Sequence, residues 1–159
     1  MDVVAFPDAA QMSGIDILKS IVAGALPHPP MADTMGFRLV MAEPGLARFE
    51  CLIGPHLLNP FGTVHGGVAL SLIDSAAGCA VHSALPPGMG YASIETKVNY
   101  TRPLRHDSGV VTAIGLVLSR GKRIATAEAK LRTADGELVA HGTSTILLLP
   151  NVEWLQSAR

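Results

Sequence analysis

Asp74 is the side chain best suited to chemistry in this sequence. Between Glu50 and Glu95 it is the one residue firmly charged at neutral pH, and no lysine or arginine occurs from Phe49 to Thr96. Its neighbours at helical spacing, Leu70, Ser71, Ala77 and Gly78, are small or apolar and offer no counter-ion. A carboxylate in such company is costly without a partner, and groups of that kind gather at functional sites. Eight positions earlier, Gly66 and Gly67 stand where a helix begins. The first N–H groups of a helix lack internal partners and carry partial positive charge. They form a donor site for an anion, or for an oxygen that gains charge during a reaction. Two glycines there allow unusual backbone angles and close approach of a ligand. His65 precedes them, and Asn59 lies in the loop upstream.

A donor pocket plus a carboxylate that can activate water, or attack directly, suits acyl transfer. Other nucleophile patterns are missing. There is no Gly-x-Ser-x-Gly elbow, no Cys/His pattern stands out, and His56, His65 and His82 do not fall at the i, i+4 spacing of zinc ligands. Neither a metal nor an organic cofactor is expected.

The elements that must position these residues are legible in the spacing. Val68–His82 reads as a helix without a charged face, which predicts burial on nearly all sides. Gly54–Gly67 is a Gly- and Pro-rich loop feeding it, and Pro86-Pro87-Gly88 stops it. Upstream, Gly14–Ala25 has Ile15, Leu18, Ile21 and Val22 at helical spacing, with Ser13 as cap and Pro27–Pro30 as its end. Phe37–Ala42 and Leu46–Ile53 read as two strands joined at Pro44-Gly45, with Ala47, Phe49 and Cys51 alternating against Arg48 and Glu50. Downstream, Tyr91–Tyr100, Gly109–Ser119, Arg123–Thr133 and Leu138–Leu149 read as four strands of an antiparallel meander. Hairpin turns are expected at Arg120-Gly121-Lys122 and at Ala134–Glu137. The expectation is an α+β domain in which an antiparallel sheet of about six strands wraps a long central helix. The sheet's other face or its edge is left for a second subunit.

The 159 residues favour one domain over 1–159, with an N-terminal helical extension at 1–30 and a tail at 151–159 that carries the lone Trp154. The chain is 48% hydrophobic and 16% charged with a net charge of −1, which argues against electrostatic capture of nucleic acid or an anionic membrane. So low a charge density suggests apolar surface covered by a copy of the chain. Cys51 and Cys79 are too few for a disulfide framework and read as small buried hydrophobes. The start, Met1–Pro7, lacks the pattern of a signal peptide. An aspartate at the centre of the long helix would cost about 2.5–3.5 kcal/mol in a bilayer. A cytoplasmic location follows as the expectation.

Asn59-Pro-Phe-Gly-Thr-Val-His65-Gly66-Gly67, then Asp74, then Ser93-Ile-Glu-Thr-Lys-Val-Asn-Tyr-Thr-Arg-Pro103 resembles the hotdog-fold acyl-CoA thioesterases, in the branch of the phenylacetate-pathway enzymes and thioesterase-superfamily member 2. The resemblance runs from about Gly36 to Leu149, and Gly136–Thr143 looks like the family's last hairpin. It implies a hotdog fold, acyl-CoA as substrate, and a homo-oligomer, a dimer or a dimer of dimers (homotetramer). Asp74 matches the catalytic carboxylate, general base or nucleophile. Gly66 matches the glycine whose N–H polarises the thioester carbonyl. His65 and Asn59 match residues that shape the pocket and position substrate or water, and Ser93 matches a hydroxyl that helps hold the attacking water. It also implies that the carboxylate and the oxyanion donors of one site come from different subunits. Arg120, Lys122 and Arg123 fall where relatives contact the phosphates of coenzyme A, and Arg102 is a weaker candidate of that kind. Two other readings share the scaffold: an enoyl-CoA hydratase or dehydratase, whose relatives differ in the loop around His65, and a non-catalytic acyl-CoA binding module.

Overall fold

The structure is a computed structural model that describes residues 11–150. The expectations for Met1–Pro7 and for the tail with Trp154 lie outside them. Ser13 caps the first helix, α1 (Gly14–Val22), by accepting from the Asp16 N–H, and α1 buries Leu18 and Ile21. A second short helix, α2 (Pro30–Met35), follows. It was not foreseen, because Pro27–Pro30 reads as a stop. Proline at the first turn of a helix loses no needed N–H, so Pro30 starts a helix as well as ending the preceding segment. Gly36, at φ 75°, ends α2 in the left-handed conformation.

Six strands follow: β1 (Phe37–Glu43), β2 (Leu46–Leu52), β3 (Met89–Tyr100), β4 (Val110–Arg120), β5 (Ile124–Thr133) and β6 (Leu138–Pro150). They form one antiparallel sheet in the order β1-β2-β4-β5-β6-β3. The long helix α3 (Gly66–His82) lies against it. The expected architecture, a helix wrapped by six antiparallel strands, is the observed one.

Two expectations are corrected. The second half is not one meander. Only β4, β5 and β6 follow each other across the sheet, and β3 pairs with β6 at the far edge. The chain passes under the sheet as α3 between β2 and β3, so β2 is free to pair with β4. Nor is α3 buried all round. Val68, Ala69, Leu72, Ile73, Ala76, Ala77, Gly78, Ala80 and Val81 are buried, but Leu70 is 39% exposed and Ser71, Asp74 and Ser75 are half-buried. A single sheet covers one side of a helix, and Leu70, Ser71, Asp74 and Ser75 mark the side it leaves partly open.

Small residues set how closely helix and sheet approach. Gly115 of β4 lies against the α3 backbone, where a Cβ would stand 2.1 Å from the Ala76 carbonyl oxygen. The core is mostly aliphatic, with Phe37 and Phe49 packed edge to face; Leu72, Ile73, Leu131 and Ile146 are fully buried, each contributing about 1.5–3 kcal/mol. No helix of the described residues is long and apolar enough to cross a membrane.

Candidate active site

The loop before α3 folds back on itself. Asn59 closes it: its Oδ1 accepts from the N–H groups of Phe61 (2.9 Å) and Thr63 (3.3 Å), and its Nδ2 donates to Thr63 Oγ1 at 2.7 Å. Asparagine is the residue type that makes such turns, and Asn59 fixes the shape of its own loop. The Val64 N–H donates to Leu104 O, and the His65 N–H to Leu57 O at 2.8 Å. The start of α3 is thereby anchored on both sides.

His65 is the N-cap residue of α3. Its Nδ1 accepts from the Gly67 N–H at 2.9 Å. In the neutral ring the proton therefore sits on Nε2, the remaining polar atom. The Val68 N–H is taken by His65 O at 2.9 Å. The Gly66 N–H, first in the helix, has no hydrogen-bond partner among the described residues. The two glycines matter for size, not for unusual angles, since neither has a positive φ. A Cβ on Gly67 would lie 2.9 Å from His65 Nδ1, and one on Gly66 would touch the Tyr100 ring at 3.4 Å.

Two cavities flank this helix start. One, of about 330 Å³, is lined by His65, Gly66, Tyr100 and Arg102 among others. The other, of about 460 Å³, lies between α2 and α3 and is lined by Met35, His56, Leu57, His65, Gly67 and Ser71. His65 is common to both. The Tyr100 hydroxyl donates to Gly66 O at 3.1 Å, which steadies the first turn of α3.

Asp74 sits on the partly uncovered side of α3. Its Oδ1 accepts from Thr96 Oγ1 at 2.7 Å, and its Oδ2 has no partner among the described residues. Thr96 Oγ1 lies 3.0 Å from Ser144 Oγ, which is also 3.0 Å from Glu95 O. Ser93 is exposed on β3 and makes no side-chain hydrogen bond among the described residues. Arg102 lines the cavity beside Gly66 and pairs with Glu137 at 2.9 Å. Arg120 instead donates to Ala84 O at 2.7 Å, just past the end of α3. With Lys122 and Arg123 it is one helix length, about 25 Å, from Gly66 of the same chain. Within one chain the structure thus brings His65, Gly66 and Arg102 to one cavity, while Asn59 closes the loop before α3 and lines neither cavity. It keeps Asp74 and the Arg120–Arg123 turn apart from them.

A family model described as the thioesterase superfamily matches residues 61–140, the stretch from the loop before α3 into β6. The human acyl-coenzyme A thioesterase 13 is 30% identical over 108 residues, covering 67% of this chain and 76% of that protein. The chain belongs to the thioesterase superfamily. A Halobacterium salinarum relative is 42% identical over 82 residues, 48% of this chain, and the chain spans about half of that protein's length, 52%. Among solved structures of the superfamily's kind, a variant of the phenylacetic acid degradation protein from Thermus thermophilus superposes with a TM-score of 0.68. It is 28% identical and covers 75% of this chain and 98% of that one. The fold is the hotdog fold.

Sequence reasoning passed over Tyr100, Thr96 and Ser144. Thr96 stands in the stretch Ser93–Pro103 that carries the resemblance, but its contact with Asp74 depends on an irregularity of β3 that no residue pattern announces.

Proposed function

We propose that this thioesterase-superfamily chain hydrolyses acyl-CoA thioesters to the free acid and coenzyme A, with Asp74 as its catalytic carboxylate. The observation that carries the reading is the unpaired Gly66 N–H in a cavity wall at the N-terminus of α3. It is a donor without an acceptor, at the positive end of a helix, where a thioester oxygen gains charge. The name of the human relative supports an acyl-CoA substrate.

Asp74 and Gly66 are eight residues apart on one helix, so about 12 Å along its axis and about 80° around it. No single carbonyl reaches both. The site therefore takes its carboxylate from one subunit and its oxyanion donor from another. Strand β3 suits that role, for it is an edge of the sheet and exposes Ser93, Ile94 (58%) and Glu95 beside Asp74. A second copy added there about a two-fold axis would run its α3 antiparallel to the first. Its Asp74 would then approach the neighbour's Gly66, and its Arg120–Arg123 turn would come toward the neighbour's Arg102. Those cations and Arg102 are the groups for the coenzyme A phosphates.

In the reaction, Oδ2 of Asp74 takes a proton from water as the water oxygen bonds to the thioester carbon. The carbonyl oxygen becomes an oxyanion held by the Gly66 N–H. Collapse breaks the C–S bond, and the coenzyme A sulfur leaves with the proton from Asp74. If the carboxylate attacks directly, an anhydride forms first and water opens it. Single turnover in 18O water labels Asp74 only in the second case.

Release of free thiol from a panel of aromatic, short and long acyl-CoAs tests the assignment. Turnover is expected from the parent protein, with a loss of roughly 10²–10⁴-fold in Asp74→Asn. Parental turnover by that variant would remove Asp74 from the chemistry, and binding with no thiol release from any acyl-CoA would leave a binding module.

A further inference from the structure

We infer that Thr96, backed by Ser144, is the positioning residue for the Asp74 carboxylate. It holds Oδ1 in place and leaves Oδ2 for the attacking water. The inference rests on the hydrolytic reading of Asp74 and adds two side chains which that reading does not use.

The placement of Thr96 is a departure from regular strand geometry. Tyr91 of β3 packs over Gly78 of α3, where a Cβ would lie 2.6 Å from its ring. Alternate side chains of a strand point the same way, so Thr96, five positions on, should face away from α3. It faces Asp74 because the pairing of β3 with β6 slips by one residue between Ser93 and Glu95. A bulge of this kind re-aims the side chains that follow it. Beyond it Thr96 meets Asp74, and Tyr100 meets Gly66 at the other end of the same helix.

The hydrogen bonds have a direction. A carboxylate only accepts, so the single hydroxyl proton of Thr96 goes to Asp74 Oδ1 at 2.7 Å. Ser144, its cross-strand partner on β6 and 1% exposed, stands 3.0 Å from Thr96 Oγ1 and gives its own proton to Glu95 O at 3.0 Å. Ser144, tied to the β3 backbone through Glu95 O, walls in the Thr96 hydroxyl whose proton goes to Asp74. The Thr96 bond ends at one oxygen of the one acid on α3. A carboxylate tethered through one oxygen cannot swing away from the geometry that attack requires.

Steady-state thiol release by Thr96→Val, Thr96→Ser and Asp74→Asn tests this, with melting curves alongside. Valine keeps the branched shape without the hydroxyl, and serine returns the hydroxyl. The expected result is a kcat for Thr96→Val lower by roughly ten- to hundredfold, KM within about threefold, and recovery of most of kcat in Thr96→Ser. Parental kcat in Thr96→Val while Asp74→Asn is inactive overturns the inference and leaves the hydrolytic reading standing. Loss of kcat and rise of KM together, with no recovery in Thr96→Ser, also overturns it, since that is the mark of a merely structural contact. Parental turnover in Asp74→Asn removes the hydrolytic reading and this inference with it. If Thr96→Val does not fold, Thr96→Ala takes its place under the same outcomes.

Discussion

The oxyanion role proposed for Gly66 can be tested at the backbone itself. It is the first residue of α3, and His65 before it has φ −61° and ψ 133°. Proline is at home at the first helical position, and the residue before a proline favours that extended region. Gly66→Pro therefore deletes the N–H while keeping the helix. The expected outcome is a loss of roughly 10²–10³-fold in kcat/KM with the melting temperature kept, measured by thiol release and circular dichroism. A second expectation concerns Cys79. Burial pushes its thiol up to about 11, and burial raises Cys51 as well. The thiolate is the reactive form, so at pH 8 both thiols should resist a disulfide reagent until the protein is unfolded. Fast labelling of the native protein would contradict this.

Helix α3 is held at three places, each with its own measurable consequence. At its start, His65→Ala removes the acceptor for the Gly67 N–H and should cost about 1 kcal/mol. His65→Asn restores an acceptor and should recover most of that in urea unfolding. Midway, a methyl group on Gly115 would run into the Ala76 carbonyl. Backbone cannot give as a side-chain tip can, so Gly115→Ala should destabilise by about 3 kcal/mol or more. At the end, burial lowers the pKa of His82 from 6.5. The unfolded chain then binds a proton more readily than the folded one. This contribution to stability is fully present above pH 6.5 and is lost as pH falls below it. Melting temperatures from pH 7.5 down to 5 should drop less steeply in His82→Asn than in the parent.

The whole molecule poses the question of completeness. One chain presents the Gly66 N–H and the Asp74 carboxylate about 12 Å apart, with an unpaired strand edge beside the carboxylate. If two copies complete each site, Asp74→Asn and Gly66→Pro proteins are each inactive, but mixing and refolding them together restores turnover. Half of the dimers are then mixed, and each mixed dimer has one site with both groups intact, so about a quarter of parental activity is expected. No recovery, with mixed dimers verified by mass, would mean that each chain carries its own site.

Much of this protein is local in origin and was readable as such. The periodicity of Gly14–Val22, the alternation of Ala47, Phe49 and Cys51, the glycine pair before α3 and the isolation of Asp74 from any counter-ion are all near-neighbour facts. Near-neighbour facts are what propensity and spacing encode. The order of the strands is different in kind. Tyr91–Tyr100 has the same pattern whether it joins β4 or lies beside β6, because pairing is decided by where α3 delivers the chain and which edge remains open. The exposed strip on α3 likewise emerges only once distant segments pack. Thr96 is the sharpest case. Its residue type suits many strand positions, and alternation alone points it away from Asp74. Only the one-residue slip against β6 turns it toward the acid, since register arises between strands and has no spelling within either one.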